Sequence, residues 1–188
     1  LVADLGGGSV EIVALKKGEI QHSVSLNYGH LSTADEAEII TALTQIGWIK
    51  TFAAEQLFGV GGSFRALGLA FIERESYPLP VLHGLKVSND KALALCNDFI
   101  QPESALEGVP FARRKTMPMA TRIIRAIINV SSVRRVIVSG TSIRDGVLAT
   151  NELNETQRAD FLMAISQEIA GTSFRFAGVA NALKYFLR

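Results

Sequence analysis

The chain has 188 residues, enough for one domain with a sizeable core, and its formal net charge of +1 excludes a nucleic-acid binder that works through a large basic excess. Its one cysteine, Cys96, excludes an internal disulfide and fits a reducing cytoplasm, and no apolar run reaches the roughly 18 residues needed to cross a bilayer. A near-neutral total still allows a polyanionic ligand held by backbone amides and a metal ion, because neither shows in the count of charged side chains.

The chain opens on Leu1-Val2-Ala3-Asp4-Leu5, without an initiator Met and already inside an apolar strand, so it reads as a piece of a longer protein. Strands over 1–5, 9–15 and 19–26 are separated by Gly6-Gly7-Gly8 and by the turn Lys16-Lys17-Gly18. With no helical crossover between them they form an antiparallel meander. A helix over 33–47 carries apolar residues at Ala37, Ile40, Leu43 and Ile46 and is opened by Ser32 and Thr33. A strand over 56–60 runs into Gly61-Gly62-Ser63 and a helix ending near residue 73. Pro78 and Pro80 mark a loop, a strand follows over 81–87, and Ser88 caps a helix over 90–100.

Residues 101–118 hold Pro102, Pro110 and Pro118 together with Arg113-Arg114-Lys115, and read as a solvated loop able to guide a polyanion over the surface. A helix over 119–129, a strand over 135–138, and helices over 143–151, 155–170 and 176–187 complete the chain. A meander followed by strands alternating with helices is a mixed-sheet α/β arrangement. Cys96 falls on the apolar side of its helix. His22, His30 and His83 have no metal-ligand spacing, and His83 before Gly84 reads as structural.

Three loops share one design, in which an apolar strand enters a glycine turn and a new element leaves with a polar residue. They are Asp4-Leu5-Gly6-Gly7-Gly8-Ser9-Val10-Glu11, Gly59-Val60-Gly61-Gly62-Ser63-Phe64-Arg65, and Ser139-Gly140-Thr141-Ser142-Ile143-Arg144-Asp145-Gly146. Glycines let the backbone approach a ligand closely, and successive amides converge on an anion. Where the loop opens a helix, as at Ser63, the free N–H groups and the helix dipole add to this. Asp4 at a strand end is costly without a partner, and Mg²⁺ bound there takes one or two carboxylates plus waters and phosphate oxygens. Side chains alternate along the second strand, so Ser9 and Glu11 share a face while Val10, Ile12 and Ala14 take the other. Glu11 is then placed to orient or deprotonate a water. The plain alternative is a hairpin with a capping Asp and a solvated Glu. Arg65 and Arg144, each just past a glycine loop, are further candidates for phosphate contact, with exposed helix charges or ion pairs as the ordinary reading.

In this order the loops resemble the exopolyphosphatase/guanosine-pentaphosphate phosphatase family of the actin-like, sugar-kinase-like ATPase superfamily. The resemblance runs through DLGGGSVEIV, the helix ending near Gly47-Trp48-Ile49, FGVGGSFRALG, His83-Gly84, Arg113-Arg114 and IVSGTSIRDGVL, covering roughly 1–150. It implies an actin-like (ribonuclease H-like) second lobe over 1–150, with 151–188 as C-terminal helices or a linker to a further helical domain. It also implies a Mg²⁺-assisted phosphatase acting on polyphosphate or guanosine pentaphosphate in a cleft between two lobes, the first lobe preceding Leu1, with a homodimer as a candidate assembly. By the same resemblance Asp4 holds the metal or its waters, Gly6, Gly7, Gly8 and Ser9 bind phosphate, and Glu11 places the attacking water. Gly61, Gly62 and Ser63 match the family's second glycine loop. Val10 and Ser63 stand where the family often has Thr, and 114–118 lacks the acidic residue common after the Arg. Two other readings stand beside this one: an actin-like ATPase or kinase lobe that binds adenine nucleotide, and a non-catalytic sensor of phosphate chains.

Overall fold

Alternation between buried and half-buried residues runs through 1–5 and 10–14. A computed structural model of the protein describes residues 1–152 apart from 53, 80 and 101–106. Strands β1 (Val2–Leu5), β2 (Val10–Lys16) and β3 (Glu19–Leu26) form the expected antiparallel meander. Lys17 and Gly18, both at positive φ (54° and 83°), make the two-residue turn between β2 and β3, the turn whose twist matches that of the strands it joins. Val10, Ile12 and Ala14 lie on the buried face of β2 with Ala3 and Leu5 beside them on β1.

Helices α1 (Glu36–Gln45) and α2 (Gly47–Thr51) carry the chain to β4 (Gln56–Val60), which lies parallel to β1. The crossover helix begins at Asp35 rather than at Ser32 or Thr33. The Asp35 carboxylate accepts from the Glu38 amide at 2.8 Å, whereas the Ser32 hydroxyl is engaged by the Ala34 amide in a local turn. Beyond β4 come α3 (Gly62–Arg74), β5 (Leu85–Ser88), α4 (Asn89–Ile100), α5 (Phe111–Arg114), α6 (Met117–Ser131) and β6 (Arg135–Val138). Ser88 is the last residue of β5, so the expected strand over 81–87 is shorter and shifted toward α4.

The sheet has the order β3-β2-β1-β4-β6-β5, with β1, β4 and β6 parallel and β2, β3 and β5 antiparallel to their neighbours. Helix α6 fills the core with Ile123, Ile124, Ile127 and Ile128, all fully buried, and packs against α1 and α4. Its outward Arg125 pairs with Glu36 of α1 (Nε to Oε1 2.7 Å) and donates to Asn97 of α4. Cys96 is buried in α4, and burial pushes its thiol up to about 12, as an inert core residue requires.

The chain divides into two compact units, Leu1–Gly140 and Thr141–Arg188. In the second, α7 (Ile143–Glu152) is opened by Asp145, whose carboxylate accepts from the Ser142 amide and hydroxyl at 2.6 and 2.7 Å. The helices expected over 155–170 and 176–187 lie outside the described residues. Among the described residues no helix is long and apolar enough to cross a membrane.

Candidate active site

Because β1, β4 and β6 are adjacent and parallel, their C-terminal ends share one edge of the sheet. The glycine turns that follow them therefore start side by side. In open α/β sheets this is the edge where ligands bind.

The first turn is closed by the Gly6 amide donating to the Ser9 carbonyl at 3.0 Å. The carbonyls of Gly6 and Gly7 accept from the amides of His30 and Leu31 at 3.1 and 2.9 Å, while among the described residues no acceptor faces the amides of Gly7 and Gly8. Within the described residues these two amides are unengaged, as the donors of an anion-binding turn are. The segment after β3 lies hard against this turn: a Cβ on Gly29 would stand 2.1 Å from the Gly7 carbonyl oxygen. Gly29→Ala is therefore expected to lower unfolding stability by about 1–3 kcal/mol, the ordinary cost of overpacking, and to distort the first glycine turn. Chemical denaturation and backbone amide shifts of Gly7 and Gly8 check this; a variant as stable as the parent with unmoved shifts would show the contact to be loose.

The sheet register places Asp4 directly opposite Glu11, and Glu11 directly opposite Ser25. The three side chains share one face. Glu11 Oε1 accepts from Ser9 Oγ at 2.6 Å and from Ser25 Oγ at 3.0 Å, which fixes the carboxylate's direction. Burial, and then the Glu11 charge, push the Asp4 carboxyl above its ordinary pKa, with Arg65 pulling the other way. Two carboxylates facing each other across strands repel. Such a pair fits a hard cation with oxygen ligands. Among the described residues no three His, Cys, Asp or Glu side chains group to enclose a metal, so a cation at this pair would need further oxygen ligands from water or a bound ligand.

The second turn meets the first at Asp4. Gly61, at φ 95°, precedes α3 as its N-cap, and a Cβ there would stand 2.9 Å from Asp4 Oδ1. Ser63, 1% exposed, lies in the first turn of α3 with its Oγ 3.4 Å from His30 Nδ1. Arg65 reaches the third turn, its Nη1 3.5 Å from the Gly140 carbonyl. The Gly140 amide in turn donates to His83 Nδ1 at 3.1 Å, so His83 braces the third turn. Of the sequence candidates, the structure brings together Asp4, Gly6, Gly7, Gly8, Ser9, Glu11, Gly61, Gly62, Ser63 and Arg65. Arg144 is an exposed residue of α7, in the second unit.

Two neighbours of this edge were not named as site residues, although Arg113 belongs to the basic run read as able to guide a polyanion. Arg113, expected in a solvated loop, is half-buried at the end of α5, and its guanidinium lies over Gly62, where a Cβ would stand 2.5 Å from Nη2. His30 lies between the first two turns. The signal for His30 was in the topology: β3 runs antiparallel to β2, so Leu26 opposite Val10 returns the chain to the Gly6–Ser9 turn. Metal-ligand spacing, the filter applied to the histidines, does not detect this.

The mixed six-stranded sheet, with glycine turns after its adjacent parallel strands, has the actin-like fold. The chain belongs to the Ppx/GppA phosphatase family, whose family model matches residues 1–155. Among solved structures it is similar to an exopolyphosphatase from Cytophaga hutchinsonii, 22% identical with a TM-score of 0.65, over 79% of this chain and 55% of that one. It is also similar to the Aquifex aeolicus Ppx/GppA family member, 20% identical with a TM-score of 0.61, over 85% of this chain and 56% of that one. The type II variant of the Aquifex aeolicus Ppx/GppA phosphatase matches at 19% identity and a TM-score of 0.61, over 81% and 56%. The chain thus spans little more than half the length of these relatives. No curated protein matches it.

Proposed function

We propose that this chain supplies one half of the active site of a Mg²⁺-assisted hydrolase that removes the terminal phosphate from inorganic polyphosphate or guanosine pentaphosphate. The observation that carries the reading is the register pair of Asp4 and Glu11 beside the free amides of Gly7 and Gly8. Phosphoryl transfer asks mainly for positioning and neutralisation of charge, and this edge offers groups for both.

In this reading the amides of Gly7 and Gly8 with Ser9 hold the terminal phosphate, and Gly6 shapes the turn through its amide's bond to the Ser9 carbonyl. Gly61, Gly62 and Ser63, at the N-terminus of α3, hold an adjoining phosphate of the substrate, with the helix dipole favouring its charge. Asp4 holds Mg²⁺, which supplies neutralisation of the phosphate oxygens and of the two carboxylates. Glu11, held by Ser9 and Ser25, orients the attacking water and accepts its proton. Arg65 sits near enough to stabilise the Asp4 carboxylate and steady the third turn. The remainder of the enzyme closes the other side of the cleft, where preorganised dipoles act best once water is excluded.

The test is phosphate release from polyphosphate and from guanosine pentaphosphate, with Mg²⁺, by this chain alone and by the complete protein. The expected result is release by the complete protein and essentially none by the 188-residue chain. Robust turnover by the chain alone refutes the two-lobe mechanism, and no release from either substrate by the complete protein refutes the substrate class.

A further inference from the structure

The hydrogen bonds that fold the segment after β3 onto the first glycine turn also place a side chain that none of the three loop motifs contains. His30 donates its backbone N–H to the Gly6 carbonyl at 3.1 Å. Its ring faces the second turn, with Nδ1 3.4 Å from Ser63 Oγ, and its Nε2 stands 3.9 Å from where a Cβ on Gly7 would be. Arg113, lying over Gly62, acts on the same ring as a nearby positive charge. One imidazole thus touches both phosphate-type turns and adjoins a cation.

Resting on the reading of this edge as a phosphate site, we propose that His30 is a substrate-contacting residue: Nδ1 links the ring to the second turn through Ser63, and Nε2 donates to an oxygen of the phosphate seated on Gly6–Ser9. The chemistry follows from the two ring nitrogens having different neighbours. A neutral imidazole has one donor and one acceptor nitrogen. Burial first, and then Arg113, hold the His30 pKa below its ordinary value and so favour the neutral ring, against the opposing hydrogen bond to the Gly6 backbone. In the tautomer whose Nδ1 accepts from the Ser63 hydroxyl, the ring hydrogen sits on Nε2, the atom beside Gly7. That hydrogen adds a side-chain donor to the two free amides of the turn. The ligand it suits is the tetrahedral dianion of a terminal phosphoryl group.

Side-chain geometry separates this role from a merely structural one. Asn at position 30 puts its amide where Nδ1 lies and can still reach Ser63, whereas Gln reaches to the position of Nε2. The probe is tripolyphosphate, titrated into the full chain and followed by calorimetry and by ¹⁵N spectra of the histidine rings. The chain has three histidines, and His22, stacked on Trp48 with ring centroids 5.2 Å apart, serves as the internal reference. The expected result is that tripolyphosphate moves the His30 ring nitrogens and leaves those of His22 in place. His30→Gln is expected to bind within about threefold of the parent, and His30→Asn and His30→Ala roughly tenfold more weakly, the loss of one charge-assisted hydrogen bond. Binding by the parent with unmoved His30 nitrogens overturns the proposal, and so does parent-like affinity in His30→Asn alongside weak binding in His30→Gln. The spectra of the parent decide the matter even if a variant fails to fold. No binding of tripolyphosphate by the parent at millimolar concentration overturns the phosphate site itself, an outcome distinct from the failure of His30 alone.

Discussion

Asp4→Asn in the complete enzyme is expected to abolish Mg²⁺-dependent phosphate release and to make the protein more heat-stable at neutral pH, not less. The loss of activity follows from removing the carboxylate at which the two glycine turns meet, where Gly61 closes over its oxygen. The gain in stability follows from the direction of its titration. Burial and the facing Glu11 raise the Asp4 carboxyl above its unfolded value. A group whose folded pKa is raised contributes stability that is complete below the unfolded pKa and is lost as pH rises through the folded one. At neutral pH the ionised Asp4 therefore costs the fold, and the isosteric, uncharged Asn removes that cost. Thermal midpoints without Mg²⁺ should show the variant above the parent at neutral pH, with the gap closing below the ordinary carboxylate range. Added Mg²⁺ should raise the midpoint of the parent alone. Near-parental turnover at ordinary Mg²⁺ would remove Asp4 from the metal role, and a variant melting below the parent at neutral pH would show that Arg65, not Glu11, dominates its surroundings.

The parts of the site that were readable in the sequence are those set by neighbours along the chain. Alternation along β2 was enough to put Ser9 and Glu11 on one face and Val10, Ile12 and Ala14 on the other, and the structure joins Ser9 to Glu11 through a 2.6 Å hydrogen bond. Glycine turns after apolar runs marked the ends of β1, β4 and β6. The sharing of one edge by those ends depends on the parallel pairing of β1 with β4 and β4 with β6, a property of crossovers rather than of local pattern. Ser25 as a second donor to Glu11 depends on register in a hairpin with an irregularity between Ala14 and Leu15, where a shift of one residue would have faced it the other way. The placement of Arg113 over Gly62 was unreadable for a different reason. Its basic neighbours Arg114 and Lys115 made the run look solvated, yet a single short helix turns one of the three guanidinium and ammonium groups onto Gly62 while Arg114 binds the Val109 carbonyl at 3.2 Å. The cap of α1 moved to Asp35 because a carboxylate and a hydroxyl competed for adjoining amides, and each took a different one.

Glu11→Gln tests the other half of the carboxylate pair. The amide has the shape of the carboxylate, and its oxygen can still accept from Ser9 and Ser25, so the fold and the phosphate turns should persist. What disappears is the capacity to take a proton from water. If Glu11 is the base, the catalytic rate falls by roughly 10²–10⁴ while KM stays nearly unchanged, the pattern for a group that acts in the transition state. A smaller fall in rate would make Glu11 a water-orienting residue, with the base supplied by the other lobe; an unchanged rate would return it to a solvated strand face. The pH profile carries independent information. Glu11 is one of the two causes that raise the Asp4 carboxyl, so its neutralisation leaves only burial, opposed by Arg65. The acid limb of Mg²⁺ binding, measured by calorimetry across the carboxylate range, should therefore move to lower pH in Glu11→Gln. A limb that stays where it is in the parent would mean that the Glu11 charge, though opposite in the sheet, does not set the titration of Asp4.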